Sequence, residues 1–326
     1  MINLIDCFRY KKVSSLNNIQ SNSPAISFAG KPRLTKDVFE KTGEAEKTLI
    51  NNSIEINTED FIKTLKDYVH KSKLEYKHYE EVLQEVAASS EDFFTRFDTP
   101  EIIKAREDLA KAPLTHLINT PERNILRENI ANILYDKGSE KKEKQVFIIM
   151  GPPTSGKSTA LSEPLAKKKG AMIIDPDMAK EHIPEYAGGK FAAAVHEESW
   201  IITHNVLDKA IENNDNIVLP IVGSYPEEIL EICNKFDSAD YKIHLRLLDV
   251  SPEVAAERAV KRYDKTGRFV DPYYIYNEVG ILPRENFYKL IHERYFDTHA
   301  FLSNEVPKGE PPILIEKSKN LPNPLE

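Results

Sequence analysis

The sequence predicts an α/β fold whose mostly parallel sheet carries helices on both faces, preceded by an all-helical N-terminal region. Three observations predict it. After residue 145, short apolar runs alternate with amphipathic stretches, the pattern of repeated strand–helix–strand units. A glycine-bounded octapeptide, Gly151 to Ser158, joins the first of these runs to a helix. Before residue 138 the apolar residues recur instead at three- and four-residue spacing.

Residues 1–57 are rich in Ser, Asn and Lys without a sustained apolar period, and predict a flexible tail. A helical region is predicted over 58–139. Phe61, Leu65, Tyr68 and Val69, then Tyr79, Val82, Leu83 and Val86, trace one apolar face per helix. A further helix opens at Thr120-Pro121-Glu122, with Thr120 as cap and Pro121 where its missing N–H costs nothing. It carries Ile125, Leu126, Ile130, Ile133 and Leu134 and stops before Gly138. The charged run Gly138–Lys144 marks the start of the α/β domain, assigned to 140–326.

Within that domain Val146–Met150, Ala171–Ile174, Ile217–Val222 and Ile243–Leu248 predict strands, and Pro312–Ile315 a last one. With 40% apolar and 29% charged residues the composition is that of an ordinary globular protein. A net charge of −8 argues against broad attraction to nucleic acid, which Lys and Arg would have to drive. Cys7 and Cys233 are the two cysteines, too few for a disulfide framework or a cysteine metal site. His182, His196 and His204 lack zinc-site spacing. No run reaches the roughly 20 apolar residues of a membrane span and no secretory signal opens the chain, so a cytoplasmic location is expected.

Gly151-Pro152-Pro153-Thr154-Ser155-Gly156-Lys157-Ser158 fits the phosphate-binding loop. The two glycines allow close backbone approach, and successive N–H groups at a helix start surround phosphate oxygens. Lys157 adds charge for the terminal phosphates, and Ser158 offers a hydroxyl to Mg²⁺. Contacts to ATP are thus expected from residues 151–158 and from Thr159. Ile173-Ile174-Asp175-Pro176-Asp177 puts two carboxylates at the carboxyl end of the second strand, where parallel sheets place ligands. One carboxylate can take a proton from an acceptor hydroxyl while the other assists Mg²⁺ or caps the following helix. Arg258, Arg262 and Arg268 follow on a predicted helix and the loop near Gly267, and arginines there suit the charge of a moving phosphoryl group.

The loop, the run Ile173–Tyr186 (IIDPDMAKEHIPEY), His196-Glu197-Glu198 and the stretch Arg262–Asp271 together resemble the zeta-toxin family of P-loop kinases. The resemblance covers residues 145 to about 285. It implies a phosphotransferase that moves the ATP γ-phosphoryl group to an alcohol, in the best-known members a hydroxyl of UDP-N-acetylglucosamine. On this pattern Asp177 is the general base, Lys157 and Ser158 contact phosphate and Mg²⁺, Arg262 and Arg268 hold the transferring phosphate, and Asp175 assists the metal. Glu198 and His204 are the candidate acceptor contacts. The chain departs from the pattern at His204 and Pro220, where the family carries acidic residues, which leaves open another hydroxyl acceptor such as a nucleotide cofactor, an antibiotic or a nucleic-acid end, or an ATP-dependent switch or binding module. The resemblance further implies restraint of the activity, by a separate antitoxin or by the N-terminal helices acting in cis.

Overall fold

The computed structural model describes residues 97–136 and 138–324. The expected tail over 1–57 and the helical pattern over 58–96 therefore lie outside the described residues. Six strands form one sheet in the order β2-β3-β1-β4-β5-β6. They are β1 (Gln145–Met150), β2 (Met172–Ile173), β3 (Ile217–Pro220), β4 (Lys242–Asp249), β5 (Phe296–Ser303) and β6 (Ile313–Lys317). All neighbours pair in parallel except β5 and β6. Strands β1 to β4 lie on the expected runs, β2 and β3 in shortened form, and β6 begins one residue later than expected. β5 was not expected, because Asp297, Thr298 and His299 interrupt its apolar character; its register with β4 supplies what its composition does not.

The pleat divides the core. Val146, Ile148 and Met150 of β1 face one layer with Ile217, Leu219, Ile243, Leu245 and Leu247, while Phe147, Ile149, Val218 and Leu248 face the other. The first layer is covered by α2 (Pro121–Leu134), α5 (His196–Glu212), α6 (Pro226–Ser238) and α8 (Leu282–Leu290). The second is covered by a wide, π-type turn at Ser158–Ser162 that runs into α3 (Glu163–Lys169). The wide turn follows from Pro164, which has no N–H to return to Ala160; Glu163 N reaches back five residues to Ser158 O instead. Among the described residues there are three further α-helices: α1 (Pro100–Ala110), α4 (Pro176–Glu181) and α7 (Pro252–Thr266). Among the described residues no helix is long and apolar enough to cross a membrane.

Helix α2 begins as expected, with Thr120 Oγ1 accepting from Arg123 N at 3.2 Å and Pro121 in the first turn. Its buried side differs from the apolar face in the sequence. Ile125 and Ile133 stay 60% and 58% exposed, while Arg123 and Arg127 turn inward beside Ile130 and Ala131. The charged run after α2 is pinned rather than loose. Asp215 accepts from Ser139 N at 2.8 Å and pairs with Lys142, and Lys141 bonds through its backbone to Gly170 and Asn216.

Candidate active site

A parallel sheet gathers the carboxyl ends of its strands on one side. β1 is flanked there by β3 and β4, with the chain leaving toward opposite edges, which is the switch point where such sheets open a crevice. The loop Gly151–Ser158 fills this position. Gly151 is required by close approach: a Cβ there would lie 2.1 Å from the Leu248 carbonyl oxygen. Thr154 takes a left-handed backbone (φ 64°) and its hydroxyl donates to Ala255 O at 2.6 Å, tying the loop to α7. Asn304 Nδ2 donates to Ser155 O at 2.6 Å, and Arg258 donates to Asn304 O at 2.9 Å. Arg258 therefore reaches the loop through Asn304, which sequence reasoning missed because Asn304 lies 149 residues from its partner.

Lys157 folds across the loop and donates to Gly151 O at 2.7 Å and Pro152 O at 2.9 Å. Burial pushes its ammonium down to about 8, against the pull of Asp175 and Asp177; Arg262 and Arg268 push the same way as burial. These five groups thus share one electrostatic neighbourhood. Asp175 caps α4, accepting from Asp177 N at 2.9 Å, the capping role its Asp-Pro-Asp context allows. Burial raises its carboxyl, and the Asp177 charge adds to that.

Asp177 is held at both oxygens, Oδ1 by Lys180 at 3.0 Å and Oδ2 by Arg268. Burial pushes this carboxyl up, but Lys180 and Arg268 outweigh it and hold it well below the usual carboxylate range. Lys180 is almost fully buried, and nothing in its local sequence marked it beyond its place three residues after Asp177. Arg262 lies beside Arg268, and burial followed by that like charge pushes it down to about 10. The Nε atoms of Arg262 and Arg268 are buried and find no acceptor among the described residues. Cations outnumber carboxylates here, with Lys157, Lys180, Arg262 and Arg268 facing Asp175 and Asp177. Such a surplus, with unpaired donors, suits a polyanion.

Hard oxygen donors for a magnesium ion are present at the same mouth. Ser158 is exposed at the helix start, and Asp175 has one oxygen beyond the one that caps α4. Among the described residues no group of three or more His, Cys, Asp or Glu forms a metal cage. A metal here would therefore take its other ligands from nucleotide phosphates and water, as Mg²⁺ does.

Glu198 and His204 sit elsewhere on α5. Both Glu198 oxygens are engaged, by Arg123 at 2.7 and 2.5 Å and by Arg127 at 2.8 Å, and Arg123 also holds Glu185 at 2.9 Å. His204 lies against Trp200 at 5.7 Å, its imidazole lowered by burial and by Lys235. Pro220 ends β3 opposite Ile149. Behind Asp175 a cavity of about 10 Å³, lined by Leu134, Ile174, Met178 and Thr203, holds at most a water molecule. Asp177 itself does not line this cavity and keeps 41% of its side-chain surface exposed.

Residues 130–288 match the Zeta toxin family. No curated protein matches the sequence. Among solved structures the chain is similar to one from the PezAT chromosomal toxin–antitoxin system of Streptococcus pneumoniae, with 16% identity over 64% of this chain and 85% of that one and a TM-score of 0.48. It is also similar to the AvrRxo1-ORF1:-ORF2 complex, with 16% identity over 61% and 68% of the two chains and a TM-score of 0.49. A gluconokinase from Sinorhizobium meliloti 1021 gives 16% identity, 51% and 86% coverage and a TM-score of 0.33. Over residues 130–288, just under half of its length, the chain matches the zeta-toxin family of P-loop kinases, phosphotransferases with an alcohol group as acceptor.

Proposed function

We propose that this chain transfers the γ-phosphoryl group of ATP to a hydroxyl of a sugar nucleotide such as UDP-N-acetylglucosamine. The observation that carries the reading is the convergence of Lys157, Asp177, Arg262 and Arg268 at the mouth of the phosphate loop. The loop amides and Lys157 hold the phosphates, and Ser158 with Asp175 would hold Mg²⁺, which when bound supplies charge neutralisation between the phosphates. Asp177 receives the acceptor hydroxyl as a hydrogen-bond acceptor. Its carboxylate is a weak proton sink while Lys180 and Arg268 both grip it, so its first task is to orient the oxygen for in-line attack. When Arg268 turns its charge to the transferring phosphate, Asp177 becomes more basic and takes the proton as the transfer completes. Arg262 and Arg268 offset the charge spread over the moving group.

The match to the Zeta toxin family supports a toxin-like role restrained by an antitoxin or by the N-terminal segment. The test is ATP consumption by the purified full chain with Mg²⁺, with and without UDP-N-acetylglucosamine, followed by mass analysis of the sugar nucleotide. A product gaining one phosphoryl group is expected. Acceptor-independent ATP loss with an unchanged sugar nucleotide would overturn the choice of acceptor.

A further inference from the structure

Arg268 lies just beyond the end of α7, in the loop Gly267–Asp271, where no helix or strand fixes the backbone. What holds this loop comes from two directions. On one side Phe269 N donates to Gly189 O at 3.1 Å, and Gly189 presses so closely on Arg268 that a Cβ there would lie 2.8 Å from the Arg268 Cα. Gly189 itself has φ +103°, a backbone few other residues adopt. On the other side stands α1. Its Ile102, Ala105 and Leu109 enclose Phe269, which is 1% exposed.

The polar contact from α1 is more specific. Arg106 grips Asp271 with two parallel bonds, Nε to Oδ2 at 2.7 Å and Nη2 to Oδ1 at 3.0 Å, and its remaining nitrogen Nη1 donates to Asp98 at 2.7 Å. Such a planar fork sets direction as well as distance. Asp271 also accepts from Tyr273 N at 3.0 Å, so the same carboxylate closes the loop into the next segment. Two residues on from Arg106, Asp108 pairs with Lys190 at 2.8 Å, immediately after Gly189. Helix α1 thus touches both rails between which Arg268 passes. The helix is locally well made, with Thr99 capping at 3.4 Å, Pro100 in its first turn and Glu101 at its positive end.

We infer that Arg106 is a positioning residue for Arg268: through its fork on Asp271 it fixes the loop that aims the Arg268 guanidinium at the terminal phosphate. The inference deepens the proposed function and rests on Arg268 contacting that phosphate. It also gives α1, which precedes the family match at residue 130, a part in the active site of this chain.

The readout is the preference for ATP over ADP, measured by calorimetry with Mg²⁺ on the full chain, because it reports contact with the terminal phosphate whether or not the acceptor is known. Loss of one charge-assisted contact corresponds to about tenfold. Arg268→Ala is expected to cut the preference by about tenfold, and Arg106→Ala by a similar factor with ADP affinity unchanged within about twofold. The double variant is expected to lose no more than Arg268→Ala alone. The exchange Arg106→Asp with Asp271→Arg, which rebuilds the pair in reverse, is expected to recover much of the loss, and this excludes simple misfolding of the single variant. Wild-type preference in Arg106→Ala beside a loss in Arg268→Ala would overturn the positioning role, as would losses that multiply in the double variant. An unchanged preference in Arg268→Ala would instead remove the phosphate contact on which the inference stands.

Discussion

Arg268 Nη2 pairs with Asp177 Oδ2 while Lys180 holds the other oxygen of the same carboxylate at 3.0 Å. The residue proposed to receive the acceptor hydroxyl and the arginine proposed to steady the phosphate are thus each other's partners. Removing the carboxylate charge should separate binding from transfer. Asp177→Asn is expected to lower turnover by about 10²- to 10⁴-fold, with ATP affinity retained within a few-fold. Unaltered turnover would remove Asp177 from the chemistry.

Lys180 provides a second, graded test. Its charge helps hold the Asp177 carboxyl below the usual range, so Lys180→Met should let that carboxyl rise. The sign is that turnover falls at a higher pH on the acid side than in the wild-type chain. A pH–rate profile with an unmoved acid limb would show that Lys180 does not tune Asp177.

Desolvation pushes the Lys157 ammonium down to about 8, well below an ordinary lysine. Phosphates favour the charged form, so nucleotide binding above pH 8 must take up a proton. ATP affinity should fall by about tenfold between pH 7 and pH 9, and calorimetry in buffers of different ionisation enthalpy should report proton uptake at pH 9. Affinity independent of pH over this range would show that the Lys157 ammonium is not held low.

The Arg123–Glu198–Arg127 cluster joins α2 to α5 in the interior. Arg123→Ala leaves Glu198 with one arginine and should destabilise the chain by about 3–5 kcal/mol in urea denaturation. Burial raises the Glu198 carboxyl, but its arginine bonds hold it lower overall, so this stability is present above the unfolded value of 4.5 and is lost as pH falls through the lower folded value. A chain starting near residue 138 would lose both arginines and is expected to be less stable still.

Glu285 on α8 is 2% exposed, and neither of its oxygens has a hydrogen-bond partner among the described residues. Burial pushes its carboxyl up to about 7. A raised value contributes stability below pH 4.5 that is lost as pH rises through 7. Glu285→Gln should therefore stabilise the chain by about 1–3 kcal/mol at pH 8 and by little at pH 5. Equal effects at both values would mean the carboxyl is not held neutral.

The phosphate loop, the Asp175 cap and the Thr120–Pro121 helix start were legible in the sequence because each is made within a few residues. A loop of backbone amides needs glycines at fixed spacing, and a cap needs an oxygen two or three residues before its N–H. Strands β1 and β3 were legible for a related reason: buried on both faces, they read as continuous apolar runs. β5 was not, since a strand of mixed composition is recognised only by the neighbour it pairs with.

Sequence alone, then, determined the nucleotide loop, the first four strands and the last, and the candidate carboxylates and arginines. Tertiary structure decided which charges meet. Arg106 and Asp271 stand 165 residues apart, Arg123 and Glu198 75, and no local period links them. Only packing of α1 and α2 against the sheet domain brings these groups within hydrogen-bond reach, because in low-dielectric surroundings a buried charge must find its partner wherever the fold supplies one.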